Sequence, residues 1–188
     1  GWEPENAANL TEFSKGLVPD NKCCWPTDIH AAGVLVYRTD KYDQSSAPRT
    51  FADLTDEAYA GQVGMADPGV AAPAYPLAAY FFNRLGMDGG KAYFNQLFSQ
   101  GLKVVQALAS GEVSIALLQE TNAYDMVAGG EPIQILWPEE GAPGSTRVAA
   151  INAGSDQMEI AKLFVNFLLD PATQQKLVDT GDEGYFEP

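Results

Sequence analysis

Few residues in this chain could do chemistry, and they are scattered. A single histidine, His30, follows Ile29, and no Gly-x-Ser-x-Gly turn offers it a nucleophile. It is read as a structural histidine. Cys23 and Cys24 are adjacent, and a regular trans dipeptide points neighbouring side chains in directions that do not suit a disulfide. They are read as small buried apolar residues, with pairing to a cysteine outside the chain as the alternative. No cysteine or histidine spacing matches a zinc site. Neither GxxxxGK nor GxGxxG occurs. Asp67-Pro68-Gly69 stands between a strand and a helix but lacks the glycines that a pyrophosphate needs. The paired acids Glu139-Glu140 and Asp182-Glu183 lie in loops and are read as solvated, with a glycosidase-type pair as the alternative. The expectation is no enzyme activity and no cofactor. The rival is a turnover resting on Asp67, Glu139 and Glu140.

Composition narrows the partners. The 188 residues are 46% apolar and 19% charged, a folded globular balance with room for one good core or two small lobes. Twenty-five acids against 11 bases give a net charge of -14. A phosphate-backbone binder needs the opposite sign, so nucleic acid is not an expected partner. The acids are spread along the chain, which suits solubility; attraction of a cationic ligand is the sharper alternative. No apolar run reaches the ~18 residues of a membrane span, so no direct insertion is expected of this chain. Gly1-Trp2-Glu3-Pro4 has neither a basic nor an apolar leader region, so no signal peptide is expected within it.

The elements that must hold these residues alternate between strand and helix. A short helix is expected from Ala7 to Ser14. Gly33 to Tyr37 reads as a buried strand. Phe51 to Ala60 reads as a helix, with Thr50 as its N-cap and Asp53 three residues on. Gln62 to Ala66 is a strand that runs into the loop from Asp67. A helix with the stripe Leu77, Tyr80, Phe81, Leu85 follows, opened by Pro73 or Pro76 and ended near Gly86. A second helix covers Lys91 to Ser99. Strands are expected at Leu102 to Val105, Val113 to Leu118, Pro132 to Trp137 and Val148 to Ile151. A helical turn reaches Leu108, and Thr121 caps a helix over Asn122 to Ala128. The clearest helix is Asp156 to Leu169, started by Asp156 with Glu159. Asp170-Pro171 ends it, and a last helix spans Ala172 to Val178. Apolar strands alternating with helices imply an α/β sheet covered on both faces.

Four ordered blocks carry a resemblance. Phe51 to Tyr75 reads FADLTDEAYAGQVGMADPGVAAPAY, Leu108 to Leu117 LASGEVSIAL, Pro132 to Ala150 PIQILWPEEGAPGSTRVAA, and Ile160 to Gly181 IAKLFVNFLLDPATQQKLVDTG. Together they resemble bacterial ABC-transporter substrate-binding proteins of the ferric-iron, phosphonate and polyamine type. The resemblance implies a periplasmic-binding-protein-like α/β fold: two lobes joined by hinge crossover strands. Residues 33–151 would form the second lobe with both hinge strands, Val34 to Tyr37 outgoing and Val148 to Ile151 returning. Residues 1–32 and 152–188 would form part of a first lobe left incomplete, because members of the group carry further residues before this point.

The resemblance also implies a function and a site. The chain would bind a small molecule or ion in the inter-lobe cleft and deliver it to an ABC permease in the membrane, in a periplasmic or extracellular setting. The alternative is the ligand-sensing outer domain of a membrane receptor or kinase. The ligand would sit at the helix start, beside Asp67, Gly69, Val70, Ala71 and Ala72, where free N–H groups favour anions. Relatives carry hydroxyls in this loop, as in SGTAY; Ala71 and Pro73 replace two of them here. The iron branch holds ferric ion with NxYY. The matching stretch is Asn122-Ala123-Tyr124-Asp125, which keeps one tyrosine and offers Tyr124 and Asp125 if the ligand is ferric iron. Trp25, Trp137 and Glu140 are further cleft candidates, with core packing as the other reading of the two aromatics.

Overall fold

The computed structural model describes residues 2–69, 74–104 and 111–179. It divides into two compact units, residues 1–30 with 145–188, and residues 31–144. The chain passes between them from His30 to Ala31, within strand β2 (His30–Ala31), and from Gly144 to Ser145, within β8 (Gly144–Ser145).

The second unit is built on a five-stranded sheet. Its strands are β3 (Val34–Arg38), β4 (Val63–Met65), β5 (Lys103–Val104), β6 (Ile115–Leu118) and β7 (Ile133–Leu136), in the order β5-β4-β6-β3-β7. β4 runs parallel to β5 and β6, whereas β3 is antiparallel to β6 and β7. Successive strand side chains point to opposite faces, and here both faces are filled. Leu35, Tyr37, Ile115 and Leu117 join one buried cluster, with Leu77, Phe81 and Leu97 from helix α2 (Ala74–Ser99). Val34, Val36 and Ala116 join the other, with Ala123 from helix α3 (Glu120–Ala128). This two-sided burial is why the strands read as apolar runs instead of strict alternations.

α2 is two helices broken at Gly86, whose φ of 72° and ψ of 170° lie in a region open to glycine. That matches the expected stop near Gly86 and the second helix through Ser99. Beyond the break, Gly90 lies against the Phe82 ring; a Cβ there would come within 2.5 Å of it. The Phe51 to Ala60 stretch differs from expectation. It forms two 3₁₀ turns, Ala52–Thr55 and Glu57–Tyr59, because Asp56 is extended and its side chain accepts from the Ala58 N–H to start the second. The expected cap is present: Asp53 N–H donates to Thr50 Oγ1 at 3.1 Å, and Thr50 N–H returns to Asp53 Oδ2 at 2.9 Å.

The first unit has a 3₁₀ turn (Glu5–Asn9), α1 (Glu12–Gly16), β1 (Trp25–Pro26), β9 (Val148–Ala149), α4 (Met158–Leu168) and α5 (Pro171–Asp179). The helix expected over Ala7 to Ser14 is interrupted at Leu10, which is extended, and Thr11 caps the short piece after it. β1 pairs antiparallel with β9, matching Trp25 to Ala149. Val34–Arg38 lies in the second unit and Val148–Ala149 in the first. Ala7, Leu10, Trp25, Val165 and Leu169 form the core. Asn6 ties the turn to α4, donating its N–H to Asn166 Oδ1 and its side-chain amide to Asn166 O. Gln174 is fully buried and donates to Thr27 O and Leu168 O.

Two expected caps are not used. α3 starts one residue before Thr121, at Glu120 after Gln119, and α4 starts after Asp156, from Gln157. Asp170 does cap α5, accepting from the N–H groups of Ala172 and Thr173, with Pro171 in the first turn. The turn expected through Leu108 lies outside the described residues.

Candidate functional site

Strand direction in the second unit decides where its loops emerge. β6 is parallel to β4. β7 and β6 are both antiparallel to β3 and therefore parallel to each other. The carboxyl ends of β4, β6 and β7 open at one end of the sheet, the place where open α/β sheets hold ligands. The Asp67 loop follows β4, α3 follows β6, and Trp137 follows β7. The topology thus brings three of the sequence-predicted groups to one sheet edge.

Each group is presented by its own local device. Asp67 and Gly69 are exposed, and Asp67 Oδ1 accepts the Gly69 N–H at 2.8 Å, a side-chain turn that fixes the loop leaving β4. Val70, Ala71 and Ala72 lie outside the described residues. α2 begins at buried Ala74, and the next side chain, Tyr75, is 68% exposed. In α3, Ala123 is fully buried, which turns Asn122, Tyr124 and Asp125 outward; Tyr124 is 46% exposed. Trp137 is exposed, with Pro138 buried behind it. Among the described residues, no group of three or more His, Cys, Asp or Glu could hold a metal ion.

Two predicted residues are turned elsewhere. Glu140 Oε1 accepts the Phe51 N–H at 2.8 Å, and its other oxygen is buried. Glu140 thereby caps the first 3₁₀ turn and borders a concavity of about 240 Å³ walled by Phe51, Tyr80, Phe81 and Tyr93. Burial, and then the nearby Glu140 carboxylate, hold the Tyr93 phenol far above its ordinary pKa. Its neighbour Glu139 pairs with Arg49 at 2.6 Å. Trp25 is 5% exposed and packs in the first unit's core. Cys23 is exposed and Cys24 half-buried, with sulfurs 3.9 Å apart and both thiols free, so the buried reading of this pair does not hold.

A cluster with no local sequence signature lies beside His30. Asp28 is buried, and its carboxylate accepts the Arg147 N–H at 2.6 Å and the Arg147 guanidinium. His30 Nδ1 stands 3.8 Å away. Burial alone would raise the Asp28 pKa. The nearby His30 ring and the hydrogen bonds and charge of Arg147 outweigh it and hold the carboxyl below its ordinary value. Asp28 and Arg147 are 119 residues apart, so no local pattern links them.

A family model described as bacterial extracellular solute-binding protein matches residues 3–185. The chain belongs to this family. Among members of the solute-binding group, a probable ABC transporter periplasmic-binding protein of Sinorhizobium fredii is 26% identical over 160 residues, covering 76% of this chain and 42% of its own length. The spermidine/putrescine-binding periplasmic protein of Escherichia coli is 27% identical over 197 residues, covering 92% of this chain and 54% of its own. The chain spans about half the length of these curated relatives. Among solved structures, the periplasmic binding protein AfuA of Actinobacillus pleuropneumoniae superposes with a TM-score of 0.79 at 21% identity, over 97% of this chain and 60% of that one. This likeness establishes the periplasmic-binding-protein fold. Solute-binding proteins of this family are extracellular or periplasmic. No helix among the described residues is long and apolar enough to cross a membrane.

Proposed function

We propose that the protein captures a small solute at the carboxyl edge of the second unit's sheet and hands it to an ABC permease, performing no chemistry itself. The observation that carries the reading is the convergence of the β4, β6 and β7 loops in a chain whose family binds solutes. Asp67, Gly69, Asn122, Tyr124, Asp125 and Trp137 are the proposed contacts, and Val70, Ala71 and Ala72 are proposed with them from the sequence. Trp25 and Glu140 are proposed as structural. The second unit and the remainder of the first act as two lobes that close on the solute.

The chemistry of these contacts favours an organic cation. Two carboxylates and two exposed aromatic side chains are offered, with no basic residue among them, and aromatic faces attract cations. The relative named for binding spermidine and putrescine is matched over nearly all of this chain. Ferric iron is the second arm, with Tyr124 and Asp125 as its ligands; iron-bound HitA of Pseudomonas aeruginosa shares the fold at a TM-score of 0.77. A sensing role is the second reading, favoured by the fold match to a structure described as a two-component system protein mediating signal transduction, at a TM-score of 0.75.

Calorimetric titration of the protein from its complete gene with putrescine, spermidine and chelated ferric iron tests the assignment. Asp125→Asn and Trp137→Ala are expected to weaken amine binding about tenfold each, or ~1.4 kcal/mol. Glu140→Gln is expected to leave it unchanged. Binding that is insensitive to Asp125 and Trp137 but lost with Glu140→Gln would move the site away from this edge.

A further inference from the structure

The concavity of about 240 Å³ beside Glu140 lies wholly in the second unit and shares no residue with the contacts proposed at the sheet edge. Its aromatic walls are held in place. Phe81 and Tyr93 stack with centroids 4.5 Å apart, and Phe51 meets the rings of Tyr80 and Phe81 edge-on. The Tyr93 hydroxyl donates to Phe51 O at 2.8 Å. Glu140 is structural through one oxygen only. Its Oε1 accepts the Phe51 N–H, whereas Oε2 and the Tyr80 hydroxyl are buried without a hydrogen-bond partner among the described residues. Buried polar atoms are nearly always paired, and here two unpaired ones belong to residues of a single concavity. One water could bridge them, but the space is several times a water's ~30 Å³ share and its walls are apolar.

We infer that this concavity is a second ligand site, taking a small amine whose primary ammonium group stands on a short arm of one aromatic ring. The chemistry of the two unpaired atoms chooses the head group. An ionised carboxylate only accepts, and a phenol oxygen accepts as well, so the missing partner is a donor with more than one hydrogen. The aromatic faces favour a positive charge on it. A cation already rests against them: the Arg84 guanidinium carbon is 5.8 Å from the Tyr80 ring centroid. Arg84 is exposed, where water screens its charge, and it leaves Glu140 Oε2 without a partner. The ligand's ammonium reaches that oxygen as Arg84 moves aside, and its ring fills the space between Phe51, Phe81 and Tyr93. Apolar walls with few polar groups are the usual make-up of small-molecule sites. The inference uses no residue of the sheet edge, so its failure would leave the solute-binding proposal standing.

Proton–nitrogen correlation NMR of the protein titrated with benzylamine tests this. Saturable shifts are expected at the Phe51 and Ala52 amides, with an affinity that Asp125→Asn leaves unchanged. Glu140→Gln keeps an oxygen for the Phe51 N–H and is expected to weaken benzylamine at least about tenfold. Should that variant lose the native spectrum, Tyr80→Phe, which keeps the ring, decides instead, with an expected weakening of about threefold. Benzoate and benzyl alcohol carry the same ring without the ammonium and are expected to bind at least about tenfold more weakly. Putrescine has no ring and is expected to leave the Phe51 signal in place. The inference is overturned by the absence of a saturable shift at Phe51, by an affinity that the deciding variant does not change, or by benzoate binding as tightly as benzylamine. Shifts confined to Gly69 and Trp137, and lost with Asp125→Asn, would place the amine at the sheet edge and overturn it as well.

Discussion

Asp28 has its carboxylate in the first unit's interior while its main partner, the Arg147 side chain, is 56% exposed. Removing the charge leaves an arginine that water can reclaim, so the loss is smaller than for a fully buried pair. Asp28→Asn is expected to cost about 1–3 kcal/mol, read from urea unfolding at pH 7. The sign of the pH dependence follows from the depressed folded pKa. The contribution is fully present above the unfolded carboxyl value, near ~3.9, and is lost as pH falls through the folded value. The gap between wild type and Asp28→Asn should therefore close in acid. Equal midpoints at pH 7 would contradict the assignment. At this scale the sequence was legible where the partner is local and opaque where it is distant. The Asp67 turn is two residues wide. The Glu140 bond to the Phe51 N–H spans 89 residues, so Glu140 read as a free loop acid with a claim on ligand.

α2 is the element whose local rules are tested most sharply. A Cβ at Gly90 would meet Phe82 Cδ1 at 2.5 Å, and the ring is held against Phe94 in a stacked pair. Gly90→Ala is expected to cost about 1–3 kcal/mol by overpacking, seen as a lowered thermal midpoint. Gly16→Ala, where nothing lies within 4 Å, should change stability by less than about 1 kcal/mol. Matching effects at the two sites would refute the packing account. The strands were readable because burial on both faces writes itself as apolar runs. Helix starts were less so. Thr121 and Asp156 have capping chemistry, but α3 and α4 begin elsewhere. The stretch after Phe51 looked helical until the extended Asp56 divided it.

For the whole molecule, four short sequence blocks in order were enough to indicate the family; they cover β4 with the start of α2, β6, the run from β7 to β9, and α4 with α5. The passages between units were not readable in the same way. Val34 to Tyr37 is apolar because it is the sheet's interior, and Val148–Ala149 is extended because it pairs with Trp25–Pro26. The gathering of Asp67, Tyr124 and Trp137 at one edge depends on strand directions, which become visible only once β3 is seen to run antiparallel to β6 and β7.

A thermal-shift panel on the protein from its complete gene tests the central claim most directly, with polyamines, ferric iron, phosphonates, amino acids and sugars as ligands. Binding to the native state raises the midpoint by mass action, worth about 2.7 kcal/mol at a hundredfold excess over Kd. The account predicts a clear upward shift with one class, the amines first. No shift with any class in a folded protein would contradict it.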